Sequence, residues 1–176
     1  MSLRHAILGL LAIEPMSGYE VKKTIDASVG HFWAADQSQV YRTLADLVDH
    51  GLAARRTVVQ EERPNMHVHS LTELGAAELD AWLVAPLRMP PTRDPFLARL
   101  FFADRLPPGG IAEVLDARRR ELAGELAALR AIAVPAAAAD LGAALRLATL
   151  DYGITVVEAE LAWLDRTQRE LERITS

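Results

Sequence analysis

The segment from Ser38 to Gly51 constrains the fold of this chain more than any other part of the sequence. Its apolar residues recur at the spacing of one face of an α-helix, and they are Val40, Leu44, Leu47 and Val48. Such a stripe predicts a short amphipathic helix that buries one face. Gly51 follows at the position where many helices end in a left-handed conformation. The segment is therefore predicted to be a helix with a defined end and a second, polar face.

The opposite face of this predicted helix carries polar side chains in its first turns, namely Ser38, Gln39, Arg42 and Thr43. A glutamine can pair with adenine and an arginine with guanine in the major groove, and hydroxyl groups can contact bases or phosphates. The face therefore predicts contacts with DNA, and a solvated helix face is the alternative. Tyr41 lies at the edge of the apolar stripe, where its hydroxyl can contact a phosphate or its ring can pack against the protein.

The residues around this helix predict the fold class. An apolar stripe near the start of the chain predicts a first helix, which Pro15 ends. Three residues are placed to cap the helices that follow, and they are Ser17, Asp36 and Thr72. Residues 52–60 and 66–71 have the composition of strands on either side of a turn. The order helix, helix, helix, strand, strand, helix predicts a winged helix-turn-helix, which is mainly α with a small two-stranded antiparallel β wing.

Basic side chains occur where a DNA backbone would pass such a fold. Lys22 and Lys23 lie on the predicted second helix, and Arg55, Arg56 and Arg63 lie on the ribbon. Successive strand residues point to opposite faces, so at most one of Arg55 and Arg56 faces DNA directly. Solvation is the alternative for these charges. Together with the third helix, the candidate DNA-binding residues are Ser38, Gln39, Tyr41, Arg42, Thr43, Lys22, Lys23, Arg55, Arg56 and Arg63.

The charge of the chain argues against strong non-specific binding to nucleic acid. The formal net charge is -5, and the first 85 residues contain seven basic and eleven acidic side chains. Affinity follows local clusters of charge rather than totals, so we expect modest DNA affinity. The absence of cysteine excludes disulfides and fits a reducing cytoplasm. No apolar run approaches the roughly 18 residues that span a bilayer, and residues 6–13 are short for a signal peptide.

Prolines at 86–95 predict a linker between a DNA-binding domain at 1–85 and a C-terminal α-helical dimerisation domain at 96–176. The last helix, predicted from about Leu141 to Ile174, carries two apolar stripes. One stripe consists of Leu141, Leu145, Ala148, Tyr152, Val156, Ala159 and Trp163. The other consists of Leu147, Leu150, Ile154, Val157, Leu161, Leu164 and Leu171. A helix that is apolar on two faces needs two partners, so we expect a homodimer through the C-terminal helices; a compact monomeric bundle is the alternative.

Large aromatic residues are candidates for binding a small aromatic effector, and they are Trp33, Trp82, Tyr152 and Trp163. Buried aromatic residues belong more often to a plain core. Trp163 is the first candidate because it lies on the predicted interface helix, and Tyr152 and Trp33 complete the ligand-binding set that we expect.

The histidines His67 and His69 lie on one face of a predicted strand, as in some metal sites. No carboxylate or thiol stands nearby at ligand spacing, so we expect no metal site. A pH-sensitive wing is another interpretation of this pair. We also expect no cofactor.

The first 85 residues resemble the PadR family of bacterial transcriptional regulators. The resemblance is carried by a specific spacing of short motifs, which are Leu8-Gly9-Leu10-Leu11, Ser17-Gly18-Tyr19-Glu20-Val21, Phe32-Trp33, Gln39-Val40-Tyr41-Arg42-Thr43-Leu44, Leu47, Gly51-Leu52 and Leu71-Thr72-Glu73-Leu74-Gly75. The C-terminal helices are similar to the dimerisation domain of the family. The chain departs from the family at the wing, where His67 and His69 replace a basic residue and a tyrosine, and where Glu61 and Glu62 make the tip acidic.

The resemblance implies a homodimeric repressor that binds double-stranded DNA at a palindromic operator, and some members are released by a small aromatic or planar hydrophobic ligand. Two recognition helices related by a twofold axis would enter major grooves about one helical turn, or a small multiple, apart. The alternative is a winged-helix protein-interaction module without specific DNA binding, which the acidic balance favours. An enzyme is not expected, because the sequence has no phosphate loop and no nucleophile elbow. We therefore expect a cytoplasmic transcriptional regulator.

Overall fold

The chain, seen in a computed structural model that describes residues 3–29, 35–59, 65–87, 91, 93–133 and 138–175, forms two compact units. They comprise residues 1–88 and residues 89–176. The division falls within the segment predicted as a linker, while the domain borders at 85 and 96 stay a prediction. Within the described ranges, no helix is long and apolar enough to cross a membrane.

The described part of the first unit contains four α-helices and a three-stranded antiparallel sheet. Helices α1, α2, α3 and α4 span Leu3–Ile13, Gly18–Thr24, Gln37–Asp49 and Glu73–Val84. Strands β1, β2 and β3 span Met16–Ser17, Ala53–Val58 and Met66–Leu71, in the sheet order β1-β3-β2. A π-helical turn, Ile25–Val29, continues α2. The mainly α fold with a small β wing is confirmed.

The wing is an antiparallel hairpin in which β2 pairs with β3, from Ala53 opposite Leu71 to Val58 opposite Met66. This hairpin is the predicted ribbon. The short strand β1 adds a third strand, because Met16 pairs with His69 and Ser17 pairs with Val68. Two residues are too few to show the alternation that predicts a strand, which explains why the sequence pattern indicated only two strands.

The core of the first unit is built from the apolar faces of its helices. The buried residues are Ile7, Leu8, Leu10, Leu11, Met16, Val21, Ile25, Val40, Leu44, Leu47, Leu52 and Ala53. Each fully buried aliphatic side chain contributes roughly 1.5–3 kcal/mol relative to an exposed one. Since the predicted stripe of α3 is buried in this core, the opposite face of α3 is held toward solvent.

The C-terminus of α3 is closed by the hydrogen bonds of a Schellman motif. Gly51 adopts a φ of 70°, in the left-handed region that glycine occupies without strain. Its N–H donates to the carbonyl of Val48 at 3.0 Å, and the N–H of Leu52 donates to the carbonyl of Leu47 at 2.8 Å. The predicted helix end is confirmed, and the turn directs the chain from α3 straight into the wing.

The start of α4 is fastened to this same turn, and we call Gly51, Leu52, Thr72 and Gly75 the α3–α4 junction. The hydroxyl of Thr72 donates to the carbonyl of Gly51 at 2.8 Å, and the N–H of Thr72 donates to the carbonyl of Leu52 at 3.2 Å. A Cβ atom added to Gly75 would lie 2.1 Å from the carbonyl oxygen of Leu52. The backbone of α4 therefore approaches the end of α3 more closely than any residue with a side chain would allow.

The second unit consists, in its described part, of a short helix and two long ones. Helices α5, α6 and α7 span Pro95–Phe101, Gly110–Arg130 and Leu141–Thr175, and a 3-10 turn spans Ala103–Arg105. Its buried apolar residues are Leu115, Leu122, Leu129, Val157 and Leu164. Arg118 of α6 donates two hydrogen bonds, of 2.8 and 3.0 Å, to the carboxylate of Glu160 on α7. Leu115, Leu122 and Leu129 recur every seven residues along α6, the spacing of a helix face that packs against a partner helix, and all three are buried.

Helix α7 buries one of its two apolar stripes and exposes the other. On the stripe that packs against α6, Val157 and Leu164 are buried. On the other stripe, Leu141, Leu145, Tyr152 and Val156 are exposed, with exposed fractions of 76, 60, 71 and 44%. We call this exposed set the bare face of α7. A single chain covers only one face of the helix, as the two-stripe pattern predicts.

Candidate nucleic-acid interface

The N-terminus of α3 is held by a reciprocal capping box, as its sequence predicts. The backbone N–H of Gln39 donates to Oδ1 of Asp36 at 2.7 Å, and the backbone N–H of Asp36 donates to Oε1 of Gln39 at 3.1 Å. Two N–H groups that a helix start leaves unpaired are thereby satisfied. The cap fixes the first turn of α3, which carries the candidate base-reading side chains.

Ser38 and Gln39 in this first turn and Arg42 in the second turn project into solvent, and Thr43 is half-buried beside them. The hydroxyl of Ser38 donates to Oδ1 of Asp36 at 2.7 Å, and Nε of Arg42 donates to the carbonyl of Ser38 at 3.3 Å. The hydrogen bond from Ser38, with that from the Gln39 backbone, lowers the pKa of the Asp36 carboxyl. The four predicted side chains therefore share one exposed surface with a charged carboxylate.

Tyr41 packs at the start of α2 while part of its ring stays exposed. A Cβ atom added to Gly18 would lie 2.7 Å from Cε1 of Tyr41, so the missing side chain of Gly18 makes room for the ring. The exposed fraction of Tyr41 is 46%. The packing interpretation of this residue is therefore correct for the ring, and its contact with a phosphate stays a prediction.

A groove of about 640 Å³ lies between α2, α3 and the wing. It brings together Lys23, Tyr41 and Arg55 from three different elements. Tyr19 and His67, which the sequence analysis did not select as DNA contacts, also line it. Groups that can bind phosphate thus converge in this groove, although the chain as a whole is acidic. Tyr19 belongs to the Ser17–Val21 motif, where it stands just before Glu20. Its place in this motif was the one sequence signal that could have identified Tyr19 as a residue of the groove.

The remaining candidate basic residues lie outside this groove or outside the described part of the chain. Lys22 forms an ion pair with Asp26, one helical turn away. Arg56 is exposed but, unlike its neighbour Arg55, does not line the groove, in agreement with the alternation expected of a strand. Arg63, in the segment predicted as an acidic turn, lies outside the described residues.

His67 and His69 differ strongly in their surroundings. His67 is exposed and lies 3.2 Å, through Nδ1, from the hydroxyl of Thr57. His69 is only 7% exposed, and its Nδ1 has no hydrogen-bond partner among the described residues. Burial lowers the pKa of His69, and the nearby charges of Arg55 and His67 act in the same direction. No group of three or more potential metal ligands occurs within the described ranges.

The candidate ligand-binding aromatic residues that the structure describes have different surroundings. Trp163 is half-buried and contacts Phe96 edge to face, with ring centroids 6.3 Å apart. Tyr152 belongs to the bare face of α7 and lies eleven residues before Trp163, roughly 16 Å along the helix axis. Trp82 stacks on His5 in the first unit, with centroids 4.9 Å apart. Trp33 lies outside the described residues, so the predicted ligand site stays a prediction.

Comparisons with known proteins match both units. The model of the family described as "Transcriptional regulator PadR-like family" matches residues 7–81, and the model described as "Virulence activator alpha C-term" matches residues 92–172. A probable transcriptional regulator of Mycobacterium tuberculosis is 41% identical over 93 residues, which are 53% of this chain and 48% of that protein. The negative transcriptional regulator PadR of Bacillus subtilis is 36% identical over 101 residues, which are 57% of this chain and 56% of that protein. The match thus spans about half the length of these curated relatives.

Solved structures resemble the chain over nearly its full length. Bacillus subtilis PadR in complex with operator DNA gives a TM-score of 0.81 at 26% identity, covering 94% of this chain and 96% of that chain. The Vibrio cholerae virulence activator AphA gives a TM-score of 0.77 at 31% identity, covering 98% of this chain and 99% of that chain. The fold of the chain thus has solved counterparts.

Proposed function

Because this chain belongs to the PadR-like family of transcriptional regulators, we propose that it is a sequence-specific DNA-binding regulator that acts as a homodimeric repressor at a palindromic operator. The family consists of regulators rather than enzymes. The observation that carries the proposal is the capped start of α3, which holds Ser38, Gln39 and Arg42 outward on a rigid helix. The protein would act in the cytoplasm, where a bacterial chromosome is accessible.

In this proposal, the polar face of α3 contacts bases and the groove beside α3 contacts phosphates. Ser38, Gln39, Arg42 and Thr43 contact base edges in the major groove, where hydrogen bonds discriminate between sequences. Lys23, Tyr41 and Arg55, which line the groove beside α3, contact the phosphate backbone together with Tyr19. Lys22, Arg56 and Arg63 add charge near the same backbone. Residues 1–85 bind DNA, residues 86–95 are the linker, and residues 96–176 dimerise.

The proposed dimer forms through the bare face of α7. That face exposes Leu141, Leu145, Tyr152 and Val156 in a single chain, and a soluble protein rarely leaves such a row uncovered. A second copy, related by a twofold axis, would cover it and place two α3 helices in successive major grooves. A relative with this fold, B. subtilis PadR, has been solved in complex with operator DNA, which supports DNA binding by the proposed dimer.

A small planar aromatic or hydrophobic ligand is the proposed effector. The B. subtilis relative has also been solved in complex with p-coumaric acid. Trp163, Tyr152 and Trp33 are the candidate contacts in this chain. Such a ligand would release the operator only if it binds the DNA-incompatible state of the dimer more tightly than the DNA-competent state.

The test is fluorescence anisotropy with labelled DNA from upstream of the protein's own gene, a scrambled duplex of equal length, and two salt concentrations. We expect tighter binding to the upstream DNA, weaker binding at higher salt, and a loss of roughly tenfold or more for Arg42→Ala. Lys23→Ala should weaken both duplexes alike, since phosphate contacts carry no sequence information. Arg169→Ala, on the exposed surface of α7, is the matched control and should bind like the wild type.

The acidic balance of the chain favours a second candidate function, a winged-helix module that binds a protein instead of DNA. Its net charge is -5, and the carboxylate of Asp36 lies on the surface that would meet DNA. Equal and weak binding of both duplexes at low and high salt would contradict the regulator and leave this candidate.

A further inference from the structure

The hydrogen bonds at the start of α3 determine which groups its side chains can offer to a base. We propose that Asp36 fixes this polarity, so that Ser38 acts as a hydrogen-bond acceptor and Gln39 acts as a hydrogen-bond donor toward the major groove. Asp36 is thereby a specificity-determining residue, although sequence analysis identified it only as a helix cap. The inference rests on the proposed DNA-binding function.

Ser38 has a single hydroxyl proton, and that proton is already engaged. The hydroxyl donates to Oδ1 of Asp36 at 2.7 Å, and the ionised carboxylate can only accept. The lone pairs of the Ser38 oxygen remain available on the exposed side of the helix. Such an oxygen pairs with an amino group in the major groove, either N6 of adenine or N4 of cytosine. A free serine, in contrast, can rotate its hydroxyl and pair with either kind of group.

The side chain of Gln39 accepts a hydrogen bond from Asp36, whereas the side chain of Ser38 donates one. The backbone N–H of Asp36 is a donor, so the side-chain oxygen of Gln39, rather than its nitrogen, must face it, and the two atoms lie 3.1 Å apart. Nε2 has no hydrogen-bond partner among the described residues and is the part of the amide left for DNA. An amino group pairs with N7 or O6 of guanine, N7 of adenine or O4 of thymine, whereas cytosine offers no major-groove acceptor. A free glutamine pairs with adenine through both its side-chain oxygen and its nitrogen. Because the capping box engages the oxygen, Gln39 has only Nε2 available for a base.

Arg42 completes this surface. Its Nε donates to the carbonyl of Ser38 at 3.3 Å, which directs the guanidinium along the first turn of α3. Its terminal nitrogens have no hydrogen-bond partner within the described ranges and can form the bidentate contact with guanine. The carboxylate of Asp36 lies close enough to Arg42 to interact with its charge, and it repels phosphates. This repulsion reduces general attraction to DNA while leaving base selection intact.

The experiment is a selection of the full-length protein on a library of random duplexes, followed by sequencing of the bound DNA. Wild type is compared with Gln39→Glu, Asp36→Gly and Asp36→Asn. Glutamate retains the capping box through one oxygen but presents a second acceptor in place of Nε2. Glycine and asparagine are both accepted at a helix N-cap, so circular dichroism should show each variant folded.

We expect the wild-type motif to exclude cytosine at one position and to prefer adenine or cytosine at a neighbouring one. Gln39→Glu should reverse the first preference toward cytosine, by roughly tenfold relative to wild type. Asp36→Gly, which releases the hydroxyl of Ser38, should broaden the second preference. Asp36→Asn retains the accepting oxygen but loses the charge, so it should select the wild-type motif with higher overall affinity.

The outcomes distinguish failure of the proposed DNA-binding function from failure of the proposed role of Asp36. If wild type enriches no motif, the proposed function fails and the inference fails with it. If wild type enriches a motif and Gln39→Glu enriches the same one, the regulator stands and the role of Asp36 is overturned. If Asp36→Asn broadens the motif as much as Asp36→Gly, charge rather than hydrogen-bond polarity controls selection, which also overturns the inference.

Discussion

At the scale of single residues, His69 combines deep burial with an imidazole nitrogen that has no hydrogen-bond partner among the described residues. Burial lowers its pKa, and contact with the backbone of Met16 opposes this effect only in part. Burial also lowers the pKa of His5, against the opposing charge of Glu78. The folded protein therefore resists protonation of both histidines more than the unfolded chain does.

This resistance predicts a pH dependence of stability. An unfolded histidine binds its proton near pH 6.5, and a folded one with a lowered pKa binds it only at lower pH, so acid favours unfolding. The free energy of unfolding should be highest above the unfolded pKa and fall as the pH drops below it. Urea denaturation at about pH 7.5 and about pH 5.5 measures the slope of the free energy of unfolding against pH. His69→Asn should flatten the slope while His5 retains part of it, and an unchanged slope would show that His69 titrates normally.

Single residues also show where sequence patterns suffice and where they do not. The caps at Ser17, Asp36 and Thr72 were predictable, because a capping bond joins residues only three positions apart. The convergence of Tyr19, Lys23 and Arg55 in one groove was not, because it depends on how α2 and the wing approach each other. The base-reading role of the four polar residues on α3 stays a prediction, although the exposure of Ser38, Gln39 and Arg42 is observed.

At the scale of elements, the α3–α4 junction orients α3 relative to the wing. Gly51 ends α3, Leu52 leads into β2, and Thr72 at the end of β3 bonds back to both. The sequence predicted each of these helix ends separately. Their contact could not be predicted, because Thr72 and Gly51 lie twenty-one positions apart and their bond forms only when the hairpin folds back.

Gly75→Ala tests this junction. The added Cβ would lie 2.1 Å from the carbonyl oxygen of Leu52, which is backbone and cannot rotate away. We expect the free energy of unfolding to fall by about 1–3 kcal/mol, as for other overpacked sites. Gly9→Ala is the matched control, because a Cβ there meets nothing within 4 Å and should stabilise α1 by about 0.5–1 kcal/mol. Thermal and urea denaturation measure both variants, and equal stability of Gly75→Ala and wild type would contradict the close approach.

At the scale of the whole molecule, the bare face of α7 is the apolar surface on which the proposed dimer depends. Helix α7 has 35 residues and two apolar stripes, one packed against α6 and one exposed. The sequence pattern predicted both faces because helical periodicity is a local property. It could not assign a partner to each face, since that depends on which surfaces α6 covers.

Leu145→Lys tests the proposed dimer. Leu145 is 60% exposed in the single chain, so a lysine there is tolerated by the fold but would place a charge within the interface. We expect the dissociation constant of the dimer to rise by roughly tenfold or more. Ala162→Lys adds the same side chain at an exposed position of α7 outside both stripes, and should leave the dimer intact. Sedimentation velocity over a range of concentrations measures both, and identical profiles would place the interface elsewhere.

The α3–α4 junction also bears on how regulators of this kind can diverge. The contacts that hold α3 in place are made by buried apolar side chains and backbone groups, so Arg42 and Thr43 can be exchanged without disturbing the scaffold. Gln39 is different, because its side chain forms part of the helix cap and is also a proposed DNA contact. On the proposed function, new operators are reached most easily by substitutions at positions 42 and 43, whereas a change at position 39 must also preserve its bond to the backbone of Asp36.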